Sequence, residues 1–183
     1  MTYKAIGMVE CQNISTGIKA ADLMIKTADV EILECQPVCP GKYIILISGD
    51  LSAVKASVDA AKTVHAQKVV GAFVLGNPHE SVFPAIYGVS EVPDAKALGI
   101  METFNVAAAI VAADAAAKTS LVNLIELRLA RGMGGKSYLL LTGDVAAVTA
   151  AIERAEQVAS EDGMMLDSAV IPNPDKRLWA NIL

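Results

Sequence analysis

The chain is poor in the residues that build most specialised surfaces. Aromatic residues make up 4% of its 183 positions, with one tryptophan, and there are two histidines. No apolar run reaches the roughly 18 residues that a membrane-spanning helix needs. The longest candidate, VAAAIVAADAAA, is alanine-rich and interrupted by Asp114. Basic blocks and arginine–aromatic stripes are missing and the net charge is −5, so neither nucleic acid nor a membrane is an expected partner. The chain opens without a secretory pattern: Lys4 leads at once into a short strand-like run ending at Glu10. Three cysteines, Cys11, Cys35 and Cys39, cannot all pair within one chain, and the expected compartment is the reducing cytosol. The glycine-rich RGMGGK lacks P-loop spacing and does not lead into a helix. With no catalytic constellation in view, an enzyme is not expected.

What is present is apolar and repetitive. Apolar residues reach 54% and the mean hydropathy is +0.45, so the surplus belongs in a core and in subunit interfaces. AIGMVE (5–10) returns as ALGIME (97–102), and AADLMIK (20–26) as AADAAAK (112–118). GKYIILISGD (41–50) returns as GKSYLLLTGD (135–144), and NPHESVFPAI (77–86) as NPDKRLWANI (173–182). Four blocks in one order make a duplicated domain. The polar SEVPDAK (90–96), with Pro93, reads as the linker between domains at 1–91 and 96–183.

Each half predicts the same elements. A strand ends at Glu10 or Glu102. An amphipathic helix follows, with Ile18, Ala21, Ile25 and Ala28 on one stripe and Ser15 or Asn105 as N-cap. A strand runs Val30–Gln36 or Val122–Leu129. After a turn comes a continuous apolar strand, Tyr43–Ser48 or Tyr138–Thr142, expected to be buried on both faces. Asp50 and Asp144 are placed to cap the next helix, and a fourth strand at 69–75 or 165–171 leads to a short terminal helix. The order β-α-β-β-α-β is the ferredoxin-like arrangement, so the fold class is α+β.

These blocks, in this order, resemble the bacterial microcompartment (BMC) shell domain. Two unpermuted copies resemble its tandem class, which implies a homotrimer forming a pseudohexagonal tile with a central pore. The resemblance further implies edge-to-edge partners among other BMC shell proteins and a place in a microcompartment shell in the cytoplasm. Within that class, the cysteine of VCPGKY is similar to the iron–sulphur tandem shell proteins of the propanediol-utilisation type. By that likeness, Val38, Cys39, Pro40 and Gly41 of the first half and Arg131, Gly132, Met133 and Gly134 of the second line the pore. Three copies of Cys39 would meet on the threefold axis and hold one [4Fe–4S] cluster, with electron transfer across the shell to an encapsulated redox enzyme as the activity. A cluster-free metabolite pore, a Cys₃ zinc site and, outside the family, a soluble trimeric ligand-binding regulator are the alternatives. The family's tile-edge positions fall on Lys26, Lys118, Asn77, Pro78, His79, Asn173 and Pro174, although the arginine common in that motif is absent. Cys11 and Cys35, in strand patterns, read as core. The carboxylates of Glu10 and Glu102, related by the duplication, read as structural. His79 reads as a surface or capping residue.

Overall fold

A computed structural model describes residues 4–92 and 96–183; the linker proline Pro93 lies outside them. The elements run β1 (Ala5–Cys11), α1 (Ile14–Thr27), β2 (Val30–Val38), β3 (Lys42–Gly49), α2 (Leu51–Val64), β4 (Val69–Gly76) and α3 (Val82–Tyr87). They continue as β5 (Ala97–Thr103), α4 (Val106–Thr119), β6 (Val122–Arg128), β7 (Ser137–Gly143), α5 (Val145–Glu161), β8 (Met165–Ile171) and α6 (Lys176–Ile182). By packing, the chain divides into one unit at 1–78 and another at 79–183. Thus α3, the last helix of the first repeat, belongs to the second unit, where it packs on β6 and α4.

In the first unit an antiparallel sheet has the order β2-β3-β1-β4. Its two central strands are buried: β1 along its whole length, and β3 from Tyr43 to Ser48, as the unbroken apolar run predicts. Helices α1 and α2 cover one face, and Val9, Cys11, Met24, Ile45, Ile47, Val54 and Val58 form the core between them. The Ser57 hydroxyl ties α2 to α1 by donating to the Met24 carbonyl at 2.8 Å. The second unit repeats the plan with the order β6-β7-β5-β8.

Three local expectations are corrected. Asn13, not Ser15, caps α1, its side-chain oxygen accepting from the Thr16 amide at 3.1 Å; Asn105 caps α4 as expected, from Ala108 at 2.8 Å. Asp50 and Asp144 occupy the N-cap positions of α2 and α5 without side-chain capping bonds. Their carboxylates pair instead with Lys4 at 2.8 Å and Lys96 at 3.0 Å. Finally, the stripe assigned to the α1 core is rotated. Gly17, Ala20, Ala21 and Met24 face inward, whereas Ile18 and Ile25 are 55% and 45% exposed. The i, i+3, i+7 spacing fits either of two adjacent apolar stripes, and small residues take the inner one because the helix lies close to the sheet.

Candidate functional site

The two connections before the GK motifs differ in build. In the first unit only residues 39–41 separate β2 from β3, and the Gly41 amide donates to the Val38 carbonyl at 2.9 Å. Gly41 has φ +95°, a left-handed conformation open to glycine without steric strain. The Cys39–Pro40 peptide is cis. Val38 is buried, Cys39 is half-buried, and Pro40 and Gly41 are exposed. Cys39 therefore supplies the one thiol of this turn. In the second unit residues 129–136 form a longer loop, bent by positive φ at Ala130, Gly132, Gly134 and Gly135. The Ser137 hydroxyl accepts from the Ala130 amide at 3.2 Å, and Lys136 N–H donates to the Met133 carbonyl at 3.2 Å. Arg131 and Gly132 are exposed at its tip and Met133 is half-buried.

The other cysteines are placed differently. Cys11 is fully buried and Cys35 half-buried, so only the first is strictly core. Burial first, and the Glu34 carboxylate second, push the Cys35 thiol up to about 11. Glu10 is 5% exposed and is neutralised by Lys42, whose ammonium lies 2.8 Å from its carboxylate; its role is structural, as the duplication suggested.

The residues expected at a tile edge are held by two aspartates that the sequence analysis did not single out. Lys26 pairs with Asp22, and Lys118 with Asp114, each at 2.7 Å one helical turn apart. The other Asp114 oxygen accepts the His79 amide N–H at 2.7 Å. The His79 ring nitrogen Nδ1 shares a hydrogen with the Ser81 hydroxyl at 2.7 Å, so this histidine caps its own turn. Asn77 has φ +51° and Pro78 is buried; in the second repeat Asn173 is exposed and Pro174 buried. The signal for the aspartates was available: AADxxxK stands in both repeats, with acid and base four apart.

A second cluster was likewise unforeseen. Glu126 accepts from the Arg128 guanidinium and, at 2.6 Å, from the Tyr138 hydroxyl, and the guanidinium lies 5.5 Å from the Tyr138 ring centre. Burial and then this hydrogen bond push Tyr138 up to about 12. The cluster borders an open groove of about 440 Å³ lined also by Ile86, Tyr87 and Arg131. Among the described residues, no group of three or more His, Cys, Asp or Glu side chains could hold a metal ion within one chain. No helix among them is long and apolar enough to cross a membrane.

Comparison with known proteins agrees with this architecture. The BMC domain family matches residues 5–78 and again 97–174. Bacterial microcompartment shell protein PduT of Citrobacter freundii is 39% identical over 180 residues, covering 98% of both chains. Bacterial microcompartment shell protein PduA of Salmonella typhimurium is 34% identical over 84 residues, 45% of this chain and 89% of its own. A crystal structure of a microcompartment protein from Desulfitobacterium hafniense superposes with a TM-score of 0.91 at 50% identity, covering 97% of this chain and 99% of the other. A fused permuted hexameric shell protein from the RMM microcompartment, 19% identical with a TM-score of 0.65, shares the fold. A sequence written twice, folded into two like sheets and matched end to end by shell proteins, belongs to the BMC-domain family of bacterial microcompartment shell proteins.

Proposed function

We propose that the chain is a homotrimeric tile of a microcompartment shell, with a threefold pore formed by its two kinds of pre-GK loop. Shell proteins are structural, and the tile joins other BMC shell proteins edge to edge through Lys26, Lys118 and the Asn77–His79 and Asn173–Pro174 turns. The observation that carries the pore reading is the difference between the loops: three residues with a thiol in one repeat, eight residues with Arg131 in the other. Six identical loops would make a sixfold ring, and two kinds make a threefold one.

On that axis Cys39 of three chains would hold a [4Fe–4S] cluster, which when bound supplies one-electron transfer. The donor set fits on one condition only. One chain presents one thiol at this turn, so three chains must converge. Cys39 is half-buried, between buried Val38 and exposed Pro40, so it is not sealed in a core. The partner served by such a relay is an encapsulated redox enzyme. A cluster-free pore is the second reading, supported by the isolation of Cys39 within each chain and by Arg131, which would favour anionic metabolites.

Anaerobic purification with iron and sulfide assayed per trimer separates the two. About four of each per trimer, lost in Cys39→Ser, is the expected result for a three-cysteine cubane. Iron absent after anaerobic reconstitution would refute the relay and leave the conduit.

A further inference from the structure

The second repeat carries a charged groove whose key side chains the first repeat replaces. The end of α3 contributes Ile86, Tyr87 and Gly88, β6 contributes Glu126 and Arg128, and the following loop contributes Arg131. All of them belong to the unit at 79–183, so the groove is complete within one chain and does not depend on the pore or cluster readings.

The charges of the groove are ordered. Glu126 and Arg128, two apart on a strand, lie on the same side of β6. Arg128 Nε and Nη2 both donate to Glu126 Oε1, at 2.8 and 2.5 Å, and the Tyr138 hydroxyl donates to Oε2 at 2.6 Å. Both carboxylate oxygens therefore already accept, and one guanidinium offsets their charge. Arg131 adds a second guanidinium, exposed at the loop tip. The lining thus holds two cations and one anion, in a chain whose net charge is −5. Beside them Tyr87 is 48% exposed, a flat apolar face in a protein with few aromatic residues.

The first repeat serves as an internal control. Glu34 stands where Glu126 does, but Gln36 replaces Arg128 and Ile44 replaces Tyr138. The Gln36 amide donates to Glu34. The same strands pair there in the matching register, so the sheet needs neither the arginine nor the tyrosine. The short turn at 39–41 supplies no cation in place of Arg131.

We infer that this groove binds a small organic carboxylate, with its carboxyl group between Arg128 and Arg131 and its apolar body on Tyr87 and Ile86. Guanidinium forks match the planar carboxylate. Arg128 gives Nε and Nη2 to Glu126 and still carries the N–H donors of Nη1. Glu126 and the Tyr138 ring, 5.5 Å from that guanidinium, hold it in place, so less order is lost on binding. One net positive charge matches one carboxylate better than a doubly charged phosphate monoester. The groove's volume of about 440 Å³ exceeds what an inorganic ion fills and suits a small molecule.

The test titrates the full chain with phenylacetate by saturation-transfer difference NMR at fixed ionic strength. Acetate supplies the charge without the body, 2-phenylethanol the body without the charge, and phenyl phosphate a second anion. Phenylacetate is expected to saturate, with acetate and 2-phenylethanol at least about tenfold weaker. Arg131→Gln and Arg128→Gln should each raise its Kd about tenfold or more, the loss of one charge-assisted contact. Arg154→Gln, at another exposed arginine, should leave it unchanged. Arg128→Gln copies the first repeat and Arg131 is exposed, so both variants should fold, as circular dichroism will check. Phenylacetate that fails to saturate, or a Kd that neither arginine variant moves, would overturn the site. Phenyl phosphate binding tenfold more tightly than phenylacetate would overturn the carboxylate assignment.

Discussion

Gly17 of α1 faces Tyr43 of β3, and this pair gives the sharpest stability test. A Cβ added at Gly17 would lie 2.5 Å from both Cβ and Cγ of Tyr43, with Cδ1 closer still. Carbon atoms prefer about 3.5–4.0 Å, so the overlap is about 1 Å, and ring rotation cannot relieve a clash with Tyr43 Cβ. Tyr43 itself is 9% exposed and has little room to withdraw. Overpacking of this kind costs about 1–3 kcal/mol, while replacing glycine by alanine in a helix returns up to about 1 kcal/mol. Gly17→Ala should therefore destabilise by about 1–2 kcal/mol, which for a chain of this size lowers Tm by roughly 2–8 °C. The second repeat has already made the complementary choice: Ala109 stands where Gly17 does, and Ser137 where Tyr43 does, both buried. The double variant Gly17→Ala/Tyr43→Ser should accordingly lose less than the sum of its singles, with a coupling of about 1 kcal/mol or more. Urea unfolding of the four proteins at one fixed concentration measures the cycle, since oligomerisation makes apparent stability concentration-dependent. A Gly17→Ala protein as stable as wild type, or strict additivity in the cycle, would refute this account of the α1–β3 contact.

Other outcomes follow from the charges and thiols. Lys42→Met strands the buried Glu10 carboxylate and should cost about 3 kcal/mol, read from the urea midpoint. Lys26→Met removes an exposed pair, 2.7 Å long, and should change stability by less than about 1 kcal/mol. With its thiol pushed up to about 11, Cys35 is thiolate in only about one molecule in a thousand at pH 8. It should react with iodoacetamide far more slowly than a free cysteine and speed up tenfold per pH unit; a rate flat between pH 8 and 9 would contradict this. Cys39→Ser should abolish iron retention on anaerobic purification without changing trimer mass.

Much of this protein was legible in its sequence. Four collinear repeats fixed the duplication, and the apolar run through Tyr43–Ile47 fixed the central strand, because alternation and continuity of apolar residues report burial directly. The family followed from the same blocks, and Cys39 could be placed in a turn because Pro37 precedes it and Pro40 and Gly41 follow it. Other features needed three dimensions. The cap of α1 is not among them: Asn13 aligns with Asn105 and Ser15 with Ala107, so the repeat itself marks Asn13 as the side chain that reaches Thr16 N–H. The stripe of α1 was ambiguous because Ile18 and Gly17 are adjacent, and only packing against Tyr43 chooses between them. Asp50 and Asp144 look like caps until distant lysines are seen to take their carboxylates. Two copies of one fold and the chemistry of their turns are readable along the linear chain, because periodicity and turn residues act over a few positions. That α3 packs on β6 while α6 and much of β2 stay uncovered is visible in the folded chain alone. That follows from which apolar faces meet in space, and two repeats with the same pattern carry no local record of it.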